Sequence, residues 1–303
     1  MTVGGLELTG ITKRYGDLTA VRDLTLQVEQ GELFGFVGSN GAGKTTTMRI
    51  VLGVLTPDEG QVRWRGAPMT FEERRRTGYM PEERGLYPKM RVGEQLTYLA
   101  QLHGMSAADA ARSVSGWLER FGLADRAADQ LLSLSHGNQQ RVQLTAAVVF
   151  DPLLLVLDEP FAGLDPEAVD VMSDVLRERA DAGLPVIFSS HQLDLVERLC
   201  DRVGIIQRGH LVACGTVDEL RAGGPRRLWV EAPAGWPDGL PGVRLVRADG
   251  PRALLELDPS TDDQVVLRAA LAAGPVREFR RDRPSLLELF REAVSGPRLD
   301  ASA

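Results

Sequence analysis

The stretch Gly38-Ser39-Asn40-Gly41-Ala42-Gly43-Lys44-Thr45-Thr46 sets glycines, a lysine and hydroxyls at the spacing G-x-x-x-x-G-K-[ST]. Glycines let backbone N–H groups face inward around a di- or triphosphate with no Cβ in the way. From such a loop Lys44 reaches the β- and γ-phosphates, and the Thr45 hydroxyl holds Mg²⁺. A second reactive set closes the apolar run Leu153-Leu154-Leu155-Val156-Leu157 with Asp158-Glu159-Pro160. Asp158 suits Mg²⁺, directly or through water. Glu159 suits a general base that polarises an attacking water, a role whose loss costs about 10²–10⁴ in rate. Together the two sets point to hydrolysis of a nucleoside triphosphate.

Such residues need particular elements beneath them. Leu33-Phe34-Gly35-Phe36-Val37 reads as a buried strand running into the glycine loop, and Thr46-Thr47-Met48-Arg49-Ile50-Val51-Leu52 as the first turns of a helix. That helix N-terminus adds partial positive charge where a phosphate sits. Residues 153–157 read as another buried strand, which puts Asp158 and Glu159 at a sheet edge, where ligands bind in open α/β folds. A helix over about 166–181, a strand over 185–189, a helix over 192–199 and a strand over 202–207 follow. This alternation predicts a mostly parallel sheet with packed helices. Earlier strands fall at 6–8, 24–28 and 61–64, with a turn at Thr56-Pro57-Asp58-Glu59-Gly60. From about Val92 to Gly122 the pattern is helical, with Leu96, Leu99, Ala100 and His103 on one face and Val114, Trp117, Leu118 and Phe121 on another.

After Leu220 the composition shifts. Ala222-Gly223-Gly224-Pro225-Arg226-Arg227 reads as a linker. Short strands near 228–231, 243–246 and 253–257, then helices near 262–273 and 284–294, make a small α+β domain. The last residues, about 296–303, read as a disordered tail. No internal repeat is visible.

Bulk properties bound the rest. The 303 residues are 43% hydrophobic and 25% charged, as expected of a folded chain of two domains. Net charge is −7 with no basic block, which argues against nucleic acid as the partner. Neither Cys200 nor Cys214 sits in a C-x-x-C pair, so neither a metal site nor a disulfide framework is expected, and a reducing cytoplasm fits. The N-terminus has no charged-then-apolar signal pattern. The most apolar stretch, Ala146 to Leu157, is short and broken by Asp151-Pro152. The expectation is a chain that reaches a membrane only through another chain.

One further motif makes a family resemblance specific. Leu134-Ser135-His136-Gly137-Asn138-Gln139-Gln140-Arg141 resembles the signature of ATP-binding cassette (ABC) proteins, usually LSGGQ, and lies just before the strand that carries Asp158. Tyr15, in Lys13-Arg14-Tyr15-Gly16, matches the aromatic that stacks on adenine. Ala162-Gly163-Leu164-Asp165 matches the D-loop, and Ser189-Ser190-His191 the switch histidine. The resemblance covers about residues 5–222. It implies an α/β fold: a P-loop NTPase of the ABC nucleotide-binding type over residues 1–222, with a mixed sheet core and a helical subdomain at about 83–150. A small C-terminal α+β domain would span 223–295.

The resemblance also implies roles. ATP and Mg²⁺ are the expected ligands. The nucleotide is held by Tyr15, the loop Gly38 to Thr46, Glu82, Ser135, Gly137 and Asp165; the metal by Thr45, Asp158 and Glu82; catalysis rests on Glu159, His191 and Lys44. Ser135 and the Gly137 N–H sit at a helix start and cap the γ-phosphate held by a second cassette, so the working unit is a dimer, expected to be a homodimer. Separate transmembrane permease chains would hold it peripherally at the inner face of the cell membrane.

Two departures stand out. The position after Tyr79-Met80-Pro81 is usually Gln in this family, a loop that touches Mg²⁺ and the membrane partner; here it is Glu82. The signature has His136 for its first Gly and Asn138 for its Gln. These features, with Pro284-Ser285-Leu286-Leu287-Glu288-Leu289-Phe290 near the C-terminus, resemble ATPase subunits of bacterial ABC-2 type exporters of the sodium-extrusion and drug-resistance kind. An importer ATPase is the nearer alternative. A soluble ABC ATPase acting on ribosomes or DNA is the further one, and the single cassette without a heptad run or basic patch weighs against it.

Overall fold

A computed structural model describes residues 4–83, 85–222, 226–233, 235–237, 239–282 and 284–295. The chain divides into two compact units, with the division between Thr216 and Val217.

The first unit opens with two long antiparallel strands, β1 (Leu6–Tyr15) and β2 (Leu18–Val28), then the short strand β3 (Leu33–Val37). Helix α1 (Lys44–Val51) follows the glycine loop. Strands β4 (Glu59–Trp64) and β5 (Ala67–Pro68) lead to α2 (Phe71–Arg75) and β6 (Thr77–Met80). Next come α3 (Val92–Leu102), α4 (Ala107–Arg120) and α5 (His136–Val148). Strand and helix then alternate through β7 (Leu154–Leu157), α6 (Pro166–Asp181), β8 (Val186–Ser190), α7 (Leu193–Leu199) and β9 (Arg202–Gln207), and β10 (His210–Gly215) ends the unit.

Two sheets result. The antiparallel one has the order β2-β1-β4-β5, and the larger one the order β10-β9-β3-β8-β7-β6. In the larger sheet β3, β6, β7, β8 and β9 run parallel and only β10 is antiparallel. Strands β3, β7 and β8 are buried at every position, as expected of parallel strands covered on both faces. Helix α1 lies in the core between the sheets: Met48, Ile50 and Val51 pack in one cluster with Leu8 and Val21 of the small sheet and Phe34, Phe36 and Val156 of the large one. Register sets the site. Val37 pairs with Ser190, and Leu157 with Phe188 on one side and Met80 on the other. The chain therefore leaves β3, β6, β7 and β8 at one common edge, just before residues 38, 81, 158 and 191.

The second unit contains α8 (Val217–Ala222), β11 (Arg226–Glu231), β12 (Val243–Asp249), β13 (Arg252–Leu257), α9 (Asp263–Ala273), β14 (Glu278–Arg281) and α10 (Leu286–Ser295). Its antiparallel sheet has the order β12-β13-β11-β14. Leu228, Val230, Leu255, Leu257, Val266 and Ala270 form its core. Ser285 caps α10 reciprocally with Glu288: the Glu288 N–H donates to Ser285 Oγ at 3.3 Å, and the Ser285 N–H to Glu288 Oε2 at 2.8 Å. Helix α8 groups with this unit, and Arg226 and Arg227 of the expected linker begin β11. Residues 223–225 and the expected tail 296–303 lie outside the described residues.

Candidate active site

The glycine loop is built by backbone conformations that side chains resist. Gly41 has φ +76 and Gly43 φ +112. A Cβ on Gly43 would also stand 2.6 Å from the Ala20 carbonyl oxygen. The loop therefore packs against β2 with no room for a side chain at residue 43. Lys44, at the first position of α1, is only 6% exposed. A buried ammonium needs partners, and Lys44 Nζ donates to the Gly38 carbonyl at 2.8 Å and the Ser39 carbonyl at 3.4 Å. It also lies 3.6 Å from Glu159 Oε1. Thr45 and Thr46 are half-buried on the first turn, and Ser39 and Asn40 are exposed.

Asp158 and Glu159 leave β7 side by side but are held differently. Asp158 is 1% exposed and accepts a hydrogen bond from Ser189 Oγ at 2.6 Å. Its other oxygen, Oδ2, is buried with no protein partner. Glu159 has φ +50, an unusual conformation for a non-glycine residue. Its N–H donates to the same Ser189 Oγ at 2.8 Å. Its carboxylate bridges Lys44 and His191, whose Nδ1 is 2.8 Å from Oε2. With a carboxylate opposite, Nδ1 carries the proton, and Nε2 is left for a further contact. The structure thus brings Gly38, Ser39, Lys44, Asp158, Glu159 and His191 into one bonded group. Ser189, which the sequence reading passed over as a neighbour of His191, is its hub.

Tyr79 and Arg49 lie beside this group. Burial, then the Asp158 carboxylate, pushes the Tyr79 phenol above its ordinary pKa, while Arg49 hydrogen-bonds it. Glu82, three residues on, is exposed.

Ser135 and Asp165 belong to a second set. Ser135 is the N-cap of α5, accepting from the Asn138 N–H at 3.4 Å, and Gly137 is half-buried in the first turn. Asp165 caps α6, accepting from the Ala168 N–H at 2.8 Å, with Pro166 at the first helical position. His136 joins the two: its Nε2 is 3.1 Å from the Ala162 carbonyl oxygen. Gly163 has φ +70, a conformation that strains any side chain, and its Cα faces the His136 ring. Tyr15 is 47% exposed at the end of β1, with Lys13 Nζ 5.8 Å from its ring centroid.

These residues fit a magnesium nucleotide. The buried Oδ2 of Asp158, without a protein partner, is an acceptor suited to a cation. Among the described residues no three His, Cys, Asp or Glu side chains converge as a metal cage. Mg²⁺ bound with a nucleotide is commonly held by one or two carboxylates plus phosphate oxygens.

Comparison with known proteins agrees with the geometry. A family model described as ABC transporter matches residues 21–162, and one described as the C-terminal domain of ATP-binding protein DrrA1-3-like matches residues 215–294. The uncharacterized ABC transporter ATP-binding protein YhaQ of Bacillus subtilis is 37% identical over 302 residues, covering 95% of this chain and 98% of its own. The Nod factor export ATP-binding protein I of Burkholderia orbicola is 38% identical over 223 residues, 73% of each chain. A solved structure described as an ATP binding subunit of an ABC transporter superposes with TM-score 0.67 at 32% identity, covering 72% of this chain and 92% of that one.

Proposed function

The chain belongs to the ABC transporter family of ATP-binding proteins, and from that premise we propose that it hydrolyses ATP to drive a bacterial exporter of the ABC-2 type. The observation that carries the reading is the setting of Glu159. Its carboxylate stands at a sheet edge between the Lys44 ammonium and the His191 ring, next to an Asp158 oxygen without a partner.

Each residue has a part that follows from its position. The loop Gly38 to Thr46 presents N–H groups to the phosphates, and Lys44 balances charge on both the phosphates and Glu159. Tyr15 offers adenine a stacking face. Asp158 and the Thr45 hydroxyl would hold Mg²⁺, with Glu82 on the neighbouring loop. When bound, Mg²⁺ offsets negative charge on the phosphate oxygens during transfer. Glu159 accepts a proton from the attacking water, and His191 fixes the direction of that carboxylate. Little covalent work falls to the protein, since phosphoryl transfer is catalysed mainly by positioning and electrostatics.

Ser135, Gly137 and Asp165 complete the site of a second copy, so ATP joins two chains head to tail. Permease chains then bring the dimer to the cytoplasmic face of the membrane. Among the described residues no helix is long and apolar enough to cross one. The export direction is supported by similarity to a Nod factor export protein.

Two variants test the chemistry. Glu159→Gln is expected to keep ATP binding, lose about 10²–10⁴ in hydrolysis rate, and elute as a dimer with ATP on size exclusion. Lys44→Ala is expected to lose ATP binding. A Glu159→Gln protein that hydrolyses ATP at the wild-type rate contradicts the assignment. Native protein that sediments with ribosomes and leaves the membrane fraction bare contradicts the exporter.

A further inference from the structure

Gln143 lies about two turns into α5 and is 4% exposed. A buried carboxamide needs its donors met. Its Nε2 donates to the Pro81 carbonyl at 2.9 Å and to the Glu83 carbonyl at 3.4 Å. A carboxamide nitrogen carries two hydrogens, one for each oxygen. Those two carbonyls flank Glu82. The loop backbone is thus held on both sides of Glu82, while the Glu82 side chain is exposed.

The direction in which the loop leaves the sheet gives this clamp a purpose. Met80, the last residue of β6, pairs with Leu157, the last residue of β7. Glu82 and Asp158 therefore come off adjacent parallel strands at the same edge. The Tyr79 phenol lies within the electrostatic reach of both carboxylates.

We propose that Gln143 is a positioning residue that fixes Glu82 toward the Mg²⁺·ATP site built on Asp158, and that it ties the loop to the helix capped by Ser135. This rests on the reading of residues 38–46 and 158–159 as that site. Glu82 departs from the family's usual Gln, and a carboxylate there needs a fixed distance from the metal. Placed well it is a ligand, and placed loosely it is one more negative charge beside a triphosphate. A loop pinned from a buried side chain keeps that distance.

The test uses the full chain and a fluorescent ATP analogue, with affinity measured in Mg²⁺ and in EDTA. Gln143→Met keeps the length without donors. Gln143→Glu keeps the shape and turns an acceptor toward the two carbonyls, so a folded variant remains should either one fail. In both, affinity in EDTA is expected to match the wild type, and the gain on adding Mg²⁺ to fall about tenfold, the worth of one hydrogen bond to the loop. The double variant with Glu82→Ala is expected to lose no more than Glu82→Ala alone, because Gln143 acts through Glu82. An unchanged Mg²⁺ gain in the Gln143 variants, or losses that multiply in the double variant, overturns the clamp. A wild-type chain that binds no ATP analogue overturns the site itself, a separate result.

Discussion

Ser189 shows how much of the catalytic arrangement depends on a single hydroxyl. Its Oγ takes the Glu159 N–H at 2.8 Å and gives its own proton to Asp158 Oδ1 at 2.6 Å. Glu159 occupies a left-handed conformation, φ +50, which costs about 1–3 kcal/mol unless the surroundings fix it. The hydroxyl is one of the groups that fix it, with Ala162 N–H on the Glu159 carbonyl and Lys44 and His191 on its carboxylate. Ser189→Ala removes one oxygen from a fully buried strand and leaves the Glu159 N–H unpaired. Stability is expected to fall by about 1–3 kcal/mol in denaturant unfolding. Hydrolysis is expected to suffer in kcat more than in KM, since the carboxylate loses its direction while the phosphate loop is untouched. Equal kcat in variant and wild type contradicts this role. Lys44, Asp158 and Glu159 were legible in the sequence because local motifs carry them, and His191 only through the family resemblance. Ser189 was not, because its role exists only through the pairing of Leu157 with Phe188, which sets β8 against β7. Gln143 was hidden for the same reason, its partners lying some sixty residues upstream.

At the level of elements, legibility followed the pattern of burial. The strand expected at 33–37 and the helix expected at 166–181 match β3 and α6 in both ends. The first is a wholly apolar run. The second has an Asp-Pro start and one buried stripe: Ala168, Met172, Val175, Leu176 and Ala180. Helix α5 lacks such a stripe, because Gln139, Gln140, Val142, Gln143, Leu144 and Thr145 are all buried together. Only its start was read, from Ser135. Strand β14 was missed because Glu278-Phe279-Arg280-Arg281 is a polar edge without alternation. The start of β3 carries a testable charge. Glu32 is 6% exposed, accepts the Glu29 N–H at 2.6 Å, and pairs with Arg202 of β9 at 3.1 Å. Burial raises its pKa above 4.5, against the lowering by the Glu29 N–H and Arg202. Its protonated form is therefore favoured by folding. That contribution is full below pH 4.5 and is lost as pH rises through the folded value. Glu32→Gln does not titrate. The stability of wild type relative to Glu32→Gln is thus expected to be greatest at or below about pH 4.5 and to decline as pH rises. Chemical denaturation across about pH 4 to 7 checks it, and a difference that grows with pH contradicts it.

For the molecule as a whole, each of the two units has its own hydrophobic core, and all the residues assigned to nucleotide belong to the first. Within that unit the functional residues fall into two bonded sets. One gathers Lys44, Asp158, Glu159 and His191 around the glycine loop. The other sets exposed Ser135, at the N-terminus of the 13-residue α5, against the Asp165 segment through His136. A helix start capped by an exposed hydroxyl is an anion-binding end, and in the proposed head-to-tail pair it would close over the phosphates of its partner. This arrangement makes a demand that a self-sufficient site does not. A chain with Lys44→Ala cannot bind nucleotide in its own loop, yet it still offers an intact Ser135. A chain with Ser135→Arg binds nucleotide but cannot cap its partner's. Each homodimer is expected to be inactive. In a mixed dimer the two defects meet in one site and the other site is whole, so mixing the inert proteins is expected to restore hydrolysis to about a quarter of the wild-type level, half the dimers having one of two sites intact. Steady-state ATPase of the mixture against each variant alone reads the outcome. Activity no greater than the sum of the two means that each chain closes its own site, and that Ser135 faces something other than a partner's ATP.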